Sequence, residues 1–137
     1  MLGGNSTQYL TPDEINAELA KYAKLLGYTR KYTWEWNSNL RTTMGMAYGA
    51  RDYMEFAQLT FIPATPYQRL ETIVHELCHL VRFWEPGDFT WCSYAMEMKL
   101  RNDRGHDNAW KFLMMRCGFK GERCHTVIPL GSKRRKR

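Results

Sequence analysis

Between residues 71 and 81 the chain reads ETIVHELCHLV, which contains His75, Glu76 and His79. Two histidines four apart fall on one face of a helix, about 6 Å from each other. That is close enough for both imidazoles to reach one zinc ion at about 2.0–2.1 Å. Glu76 projects about 100° further round the helix, so it flanks such an ion without ligating it. A carboxylate there can hold a water and take its proton, while zinc lowers that water's pKa toward about 7. The chemistry on offer is metal-assisted hydrolysis.

A catalytic zinc needs a third protein ligand and an open position. Beyond the pair, the chain has His106 and His125. His106 stands in GHDNAW, where Gly105 gives backbone freedom and Asp107 suits a helix cap. A helix start presents a side chain rigidly, so His106 is the expected third ligand, with Asp107 and Glu97 as alternatives. Cys117, Cys124 and His125 could serve a separate structural zinc site, but three scattered ligands fall short of the usual four.

These residues need elements to hold them. Thr65, Pro66 and Gln68 make an N-cap, an N1 proline and a capping box for the HELCH helix. Its apolar stripe is Leu70, Ile73/Val74, Leu77, Val81 and Trp84, whereas Thr72, His75, His79 and Arg82 form another stripe. The histidines therefore share a direction off the main apolar face, which favours ligands over packed core histidines. Glu85-Pro86-Gly87-Asp88 ends the run.

Upstream, Thr11, Pro12 and Glu14 repeat the capping box, and Ile15, Leu19, Tyr22 and Leu26 recur at helical spacing until Gly27. In KYTWEWN, Tyr32, Trp34 and Trp36 alternate with polar residues, the period of a strand with one buried face. Residues 40–49 form a second strand interrupted by Gly45, which marks a bulge or a close backbone approach. Residues 54–63 read as a third strand, and three consecutive antiparallel strands make a meander. Residues 92–103 and 107–117 read as helices, the second with Trp110, Leu113, Met114 and Cys117 on its apolar side. The fold class expected is α+β.

At 137 residues the chain suits one domain over 1–130, followed by a basic disordered tail at 131–137. Neither a basic-then-apolar leader nor a run of roughly 20 apolar residues is present, so the expectation is an intracellular protein without a membrane span. The four cysteines include no C-x-x-C pair, which fits free thiols in a reducing compartment, with Cys78 as a small packing residue. The eight methionines fill core gaps.

Charge is uneven. Residues 1–98 hold 8 Lys/Arg against 11 Asp/Glu, a balance of −3, and residues 99–137 hold 12 against 3, a balance of +9. The excess culminates in Lys133, Arg134, Arg135, Lys136 and Arg137, five adjacent cations suited to phosphate backbones. DNA is the expected partner of this tail; a solubilising or sorting role is the alternative.

VHELCHLV followed by GHDNAWKFLM resembles the SprT-like metalloproteases, the family of bacterial SprT proteins and of the DNA–protein crosslink protease Spartan. Members carry HExCH-type helices and a later G-H-G-x-x-F/W segment. Upstream, WEWNSNLRTTMGMA is similar to the family's strand pair around R-x-T-A-G-x-A, and LTFIPATPYQRLETIVHELCH to its strand, linker and active-site helix. The resemblance spans residues 11 to about 120 and implies a small zincin-like core. It also implies His75, His79 and His106 as zinc ligands and Glu76 as general base. This chain departs from the pattern in a longer stretch between His79 and His106, with 91–104 a candidate lid or specificity element. Asp107 stands in place of a glycine, and the paired cysteines of a zinc ribbon are missing.

The reading that follows is a zinc endopeptidase, expected to be monomeric, acting on proteins on or crosslinked to DNA. An extended peptide would add to the edge of the third strand, and Tyr48, Tyr53 and Arg82 are candidate transition-state stabilisers. The competing readings are a non-catalytic, zinc-stabilised DNA-binding module and a metallohydrolase acting on a non-peptide bond.

Overall fold

Two capped helices frame the molecule, and both start where the sequence punctuates them. The computed structural model describes residues 7–121. Helix α1 (Pro12–Leu26) begins with Thr11 and Glu14 in a reciprocal capping box and stops at Gly27, which takes the left-handed conformation at φ 73°. Helix α3 (Pro66–Trp84) begins the same way with Thr65 and Gln68. It ends at Glu85, whose extended backbone is the one a following proline imposes.

Between them lie β1 (Thr33–Asn37), β2 (Gly45–Tyr48), β3 (Tyr53–Ala57) and a single helical turn, α2 (Gln58–Phe61). The sheet order is β1-β3-β2, with β3 parallel to β1 and antiparallel to β2. The expected meander is therefore corrected: β3 is central, and β1 and β2 are the edges. A tight reversal exists only between β2 and β3, at a 3-10 turn (Gly49–Arg51) closed by Asp52 at φ 49°. The seven residues between β1 and β2 turn at 38–39, where Asn39 N donates to Asn37 Oδ1 at 2.8 Å, and then lead the chain across the sheet with room for β3 to enter.

The third strand also stops early. Residues beyond Ala57 have no further partner, because β1 and β2 span five and four residues. The chain turns into α2 instead, fixed by Thr60 Oγ1 donating to Thr43 O at 2.6 Å. Buried Arg69 then gathers the carbonyls of Phe61, Ile62 and Gln8. Period-2 alternation holds in β3: Met54 and Phe56 are sealed in the core, whereas Tyr53 and Glu55 face away from it.

Helix α3 is the central element, packed against α1, α5, β2 and β3. Ile73, Leu77 and Leu80 are fully buried with Ile15, Leu19, Phe56 and Trp110, each contributing roughly 1.5–3 kcal/mol by burial. Helices α4 (Tyr94–Asn102) and α5 (Asn108–Arg116) complete five helices among the described residues. None of these is long and apolar enough to cross a membrane. The basic cluster 133–137, Cys124 and His125 lie outside the described residues.

Candidate metal centre

The one-face spacing of His75 and His79 survives in α3, with a third imidazole placed against them. Nε2 of His79 lies 3.3 Å from Nε2 of His75 and 2.9 Å from Nε2 of His106, and the remaining side of the triangle is 3.1 Å. Two nitrogens bound tetrahedrally to one zinc at about 2.0–2.1 Å sit roughly 3.3 Å apart. The observed triangle is that spacing, slightly contracted, so the donor set fits a divalent ion that takes imidazole. Among the described residues this is the group of His, Cys and acidic side chains whose ligand atoms converge. Burial, and then the charge His106 would carry, hold His79 down to about 3. It is thus kept as neutral imidazole, the form that binds metal.

His106 reaches this position through an irregular stretch. After α4 the chain turns at Gly105, in the left-handed region at φ 48°, and Asp107 caps α5 by accepting from Trp110 N at 2.9 Å. Asp107 also accepts from Arg82 Nε and Nη2 at 2.8–3.1 Å, joining the α5 cap to α3. Burial would raise the Asp107 carboxyl, but Arg82 and the Trp110 amide outweigh it and hold the carboxyl below its usual range. Asp107 and Glu97, the alternative ligands, are thereby accounted for: the first caps and pairs, and the second accepts from Arg101 at 2.9 Å.

The stretch from 85 to 104 is clamped to the end of α3. Buried Arg101 donates to the carbonyls of Phe83 and Glu85 at 2.6 and 2.8 Å. Arg104 donates to those of Arg82 and Glu85 at 2.6 and 3.0 Å. Helix C-termini leave such carbonyls unpaired, and cations suit them. Burial and the nearby charges of Arg82 and Arg101 disfavour the Arg104 cation, lowering its pKa.

Glu76 is buried on the cleft side of α3. Burial pushes its carboxyl up to about 8, where one group can both take and return a proton near neutral pH. Gly45 is the residue beside it. A Cβ at position 45 would meet Glu76 Cγ at 3.0 Å and Glu76 Oε2 at 3.1 Å, so the glycine in β2 marks a close approach rather than a bulge.

Sequence reading missed this contact and one other. Trp110 lies with its ring centre 4.6–5.3 Å from all three imidazoles, nearly parallel to His79. It forms an apolar wall of the centre, and its place one helical turn after His106 in GHDNAW was the available signal.

A cavity of about 390 Å³ runs between β2 and α3, lined by His75, Glu76, His79 and His106 together with residues 42–47. Arg82 enters this lining, its guanidinium engaged by Asp107 and Glu85. Tyr48 and Tyr53 do not line it. Their rings stack on each other, and their hydroxyls donate to Glu55 at 3.3 and 2.9 Å on the sheet face away from α3. Pairing places residue 48 opposite residue 53, so both share the direction of Glu55 and oppose Met54 and Phe56.

The family model described as the SprT-like family matches residues 15–129. The chain belongs to the SprT-like family. No curated protein and no solved structure matches it. Within this SprT-like chain the metal-competent triangle falls on the histidines of HELCH and GHDNAW. The Asp107 substitution is occupied structurally, as the shared partner of Arg82 and the α5 amide.

Proposed function

We propose that this SprT-like protein is a zinc-dependent endopeptidase with a zincin-like core, acting on polypeptides associated with DNA. The observation that carries the reading is the convergence of three imidazole nitrogens within 3.3 Å, on a cleft that also holds a buried carboxylate. Three imidazoles that leave one side open are a catalytic donor set for zinc. When bound, zinc would polarise a peptide carbonyl and acidify a water.

The remaining steps belong to the chain's own residues. His75, His79 and His106 would hold the ion, and Trp110 would keep one side of the site dry. Glu76 takes a proton from the attacking water and returns it to the departing amine, as its place in the cleft beside the three imidazoles allows. Arg82 orders the His106 segment through Asp107.

The substrate lies along β2. Ala57 N donates to Met44 O at 2.9 Å, which sets the ladder so that Met46 bonds inward to Glu55. Gly45 and Ala47 then turn their backbone groups outward, along the cleft. Thr43 Oγ1 donates to Gly45 O, leaving the Gly45 amide and both polar groups of Ala47 for an added peptide strand. The expected edge of the third strand is thus replaced by that of β2. The excess of cations in residues 99–137 supports substrates held on DNA.

The test compares zinc-loaded wild-type protein with Glu76→Gln on a DNA-binding protein substrate, with and without DNA. Glu76→Gln should retain stoichiometric zinc and lose at least roughly a thousandfold in cleavage rate. Cleavage by the variant at the wild-type rate would sink the mechanism. Wild-type protein that holds zinc yet cuts no polypeptide would favour the non-catalytic DNA-binding module.

A further inference from the structure

The two ends of the cleft differ in charge. Near residues 42–44 the lining is neutral, whereas toward Gly49 and Phe83 it takes in Arg82, Arg101 and Arg104. Glu76 is the one carboxylate among the lining residues. The acids that balance this cluster sit behind it: Asp107 and Glu85 are paired with Arg82, and Glu97 with Arg101.

Arg104 stands apart from its neighbours. Its hydrogen bonds run through Nη1 to the carbonyls of Arg82, Phe83 and Glu85, and no carboxylate among the described residues pairs with it. Those carbonyls supply partial negative charge but leave Nε and Nη2 without a hydrogen-bond partner among the described residues; the guanidinium lies beside the Phe89 ring, with Nη2 next to Gly87, and the half-buried side chain still lines the cleft. A guanidinium with two adjacent donors free is shaped for a carboxylate, which it grips with two parallel bonds.

We propose that Arg104 forms an acidic-residue subsite of the cleft, receiving an Asp or Glu side chain of the polypeptide substrate within a few residues of the scissile bond. The subsite lies toward Gly49, at the C-terminal end of β2, because Gly49 and Arg104 both contact the Phe83 region while Gly45 abuts Glu76. For a peptide antiparallel to β2 this is the amino-terminal side of the bond. The inference rests on the endopeptidase reading and names the substrate chemistry of that same site.

The experiment has two arms. In the first, the zinc-loaded full chain cuts a peptide library carrying Glu, Gln or Lys at each position flanking the bond, and products are read by mass spectrometry. Wild-type protein should favour Glu over Gln on the amino-terminal side by roughly tenfold in kcat/KM. Arg104→Lys should lose most of that preference, because one ammonium cannot hold the α3 carbonyls and also grip a carboxylate with two bonds, and Arg104→Glu should invert it toward Lys. Because the readout is a ratio within each variant, a general loss of activity does not mask it.

The second arm measures binding of the Glu and Gln peptides to the zinc-loaded Glu76→Gln protein by fluorescence anisotropy, with and without the Arg104→Glu change. Equal treatment of Glu and Gln in both arms overturns the subsite. A Glu preference that survives Arg104→Glu does the same, as does competition for the Arg104-dependent binding by duplex DNA but not by free Glu peptide. Wild-type protein that binds Glu peptides through Arg104 but cuts nothing defeats the protease reading and leaves the subsite standing.

Discussion

The three histidines are delivered by two different kinds of scaffold. His75 and His79 sit in the middle of a nineteen-residue helix with a full capping box and buried neighbours on nearly every side. Their relative placement follows from helical geometry alone. His106 sits two residues before α5, after a left-handed glycine, in a stretch whose position depends on Arg101, Arg104 and Arg82 reaching distant partners. One half of the centre is built by local rules and the other by a tertiary clamp. The two halves should therefore fail differently.

The largest difference should come from loosening each scaffold in turn. Arg101→Met removes three hydrogen bonds of a buried guanidinium and leaves the carbonyls of Phe83 and Glu85 to Arg104 alone. We expect a stability loss of about 2–4 kcal/mol. Metal affinity should fall by roughly 10–100-fold, the range seen when a ligand's supporting shell is removed. Thr65→Ala removes the α3 N-cap at about 1 kcal/mol and should leave metal affinity nearly unchanged. Zinc titration beside chemical unfolding of the chelated proteins measures both. Equal affinity losses per unit of stability would erase the distinction between the two scaffolds.

The same division explains what could be read before the structure. The helix starts at Thr11 and Thr65, the cap at Asp107 and the shared face of His75 and His79 were legible because each rests on spacing within a few residues, whereas the place of His106 beside them rests on tertiary contacts. The sheet order was not, since whether β1 pairs with β2 or with β3 depends on the path of the seven-residue connection between β1 and β2. The edge proposed for an added peptide strand moved with it, from β3 to β2. Gly45 was legible as a close approach but not as the neighbour of Glu76, because the contact joins residues 31 apart in the chain. Residues 91–104 were expected as a lid or specificity element. Arg101 and Arg104 from this stretch clamp the end of α3, a role that needs the partner carbonyls to be seen.

Gly45 probes the strand wall of the cleft, where position rather than stability is at stake. Its backbone is unstrained, so the need for glycine is one of space alone. Gly45→Ala brings a methyl group to about 3 Å from the Glu76 side chain, which must give by a few tenths of an ångström. We expect kcat to drop by roughly 10–100-fold with zinc content unchanged and stability within about 1 kcal/mol of wild type. Steady-state cleavage with metal analysis on the same samples checks this. Unchanged kcat would mean that Glu76 tolerates displacement, and the catalytic reading would lose its geometric support.

The smallest effect belongs to the sheet face that points away from both scaffolds. The Asn37 side chain donates to Glu55 Oε1 at 2.9 Å, and Tyr53 and Tyr48 add to it; these bonds outweigh burial and lower the Glu55 pKa. A depressed carboxyl stabilises the fold above its unfolded pKa of about 4.3, and that contribution disappears as pH falls through the lower folded value. Glu55 is partly exposed, so solvent screening limits the effect to under about 1 kcal/mol. Glu55→Gln should thus destabilise the metal-free protein slightly at pH 7 and match wild type near pH 3, as read from urea midpoints. Zinc affinity at pH 7 should not change, because this cluster contacts neither α3 nor the His106 segment. A gap that widened toward acid would reverse the sign of the linkage. A loss of zinc affinity would show that the sheet's outer face is coupled to the centre after all.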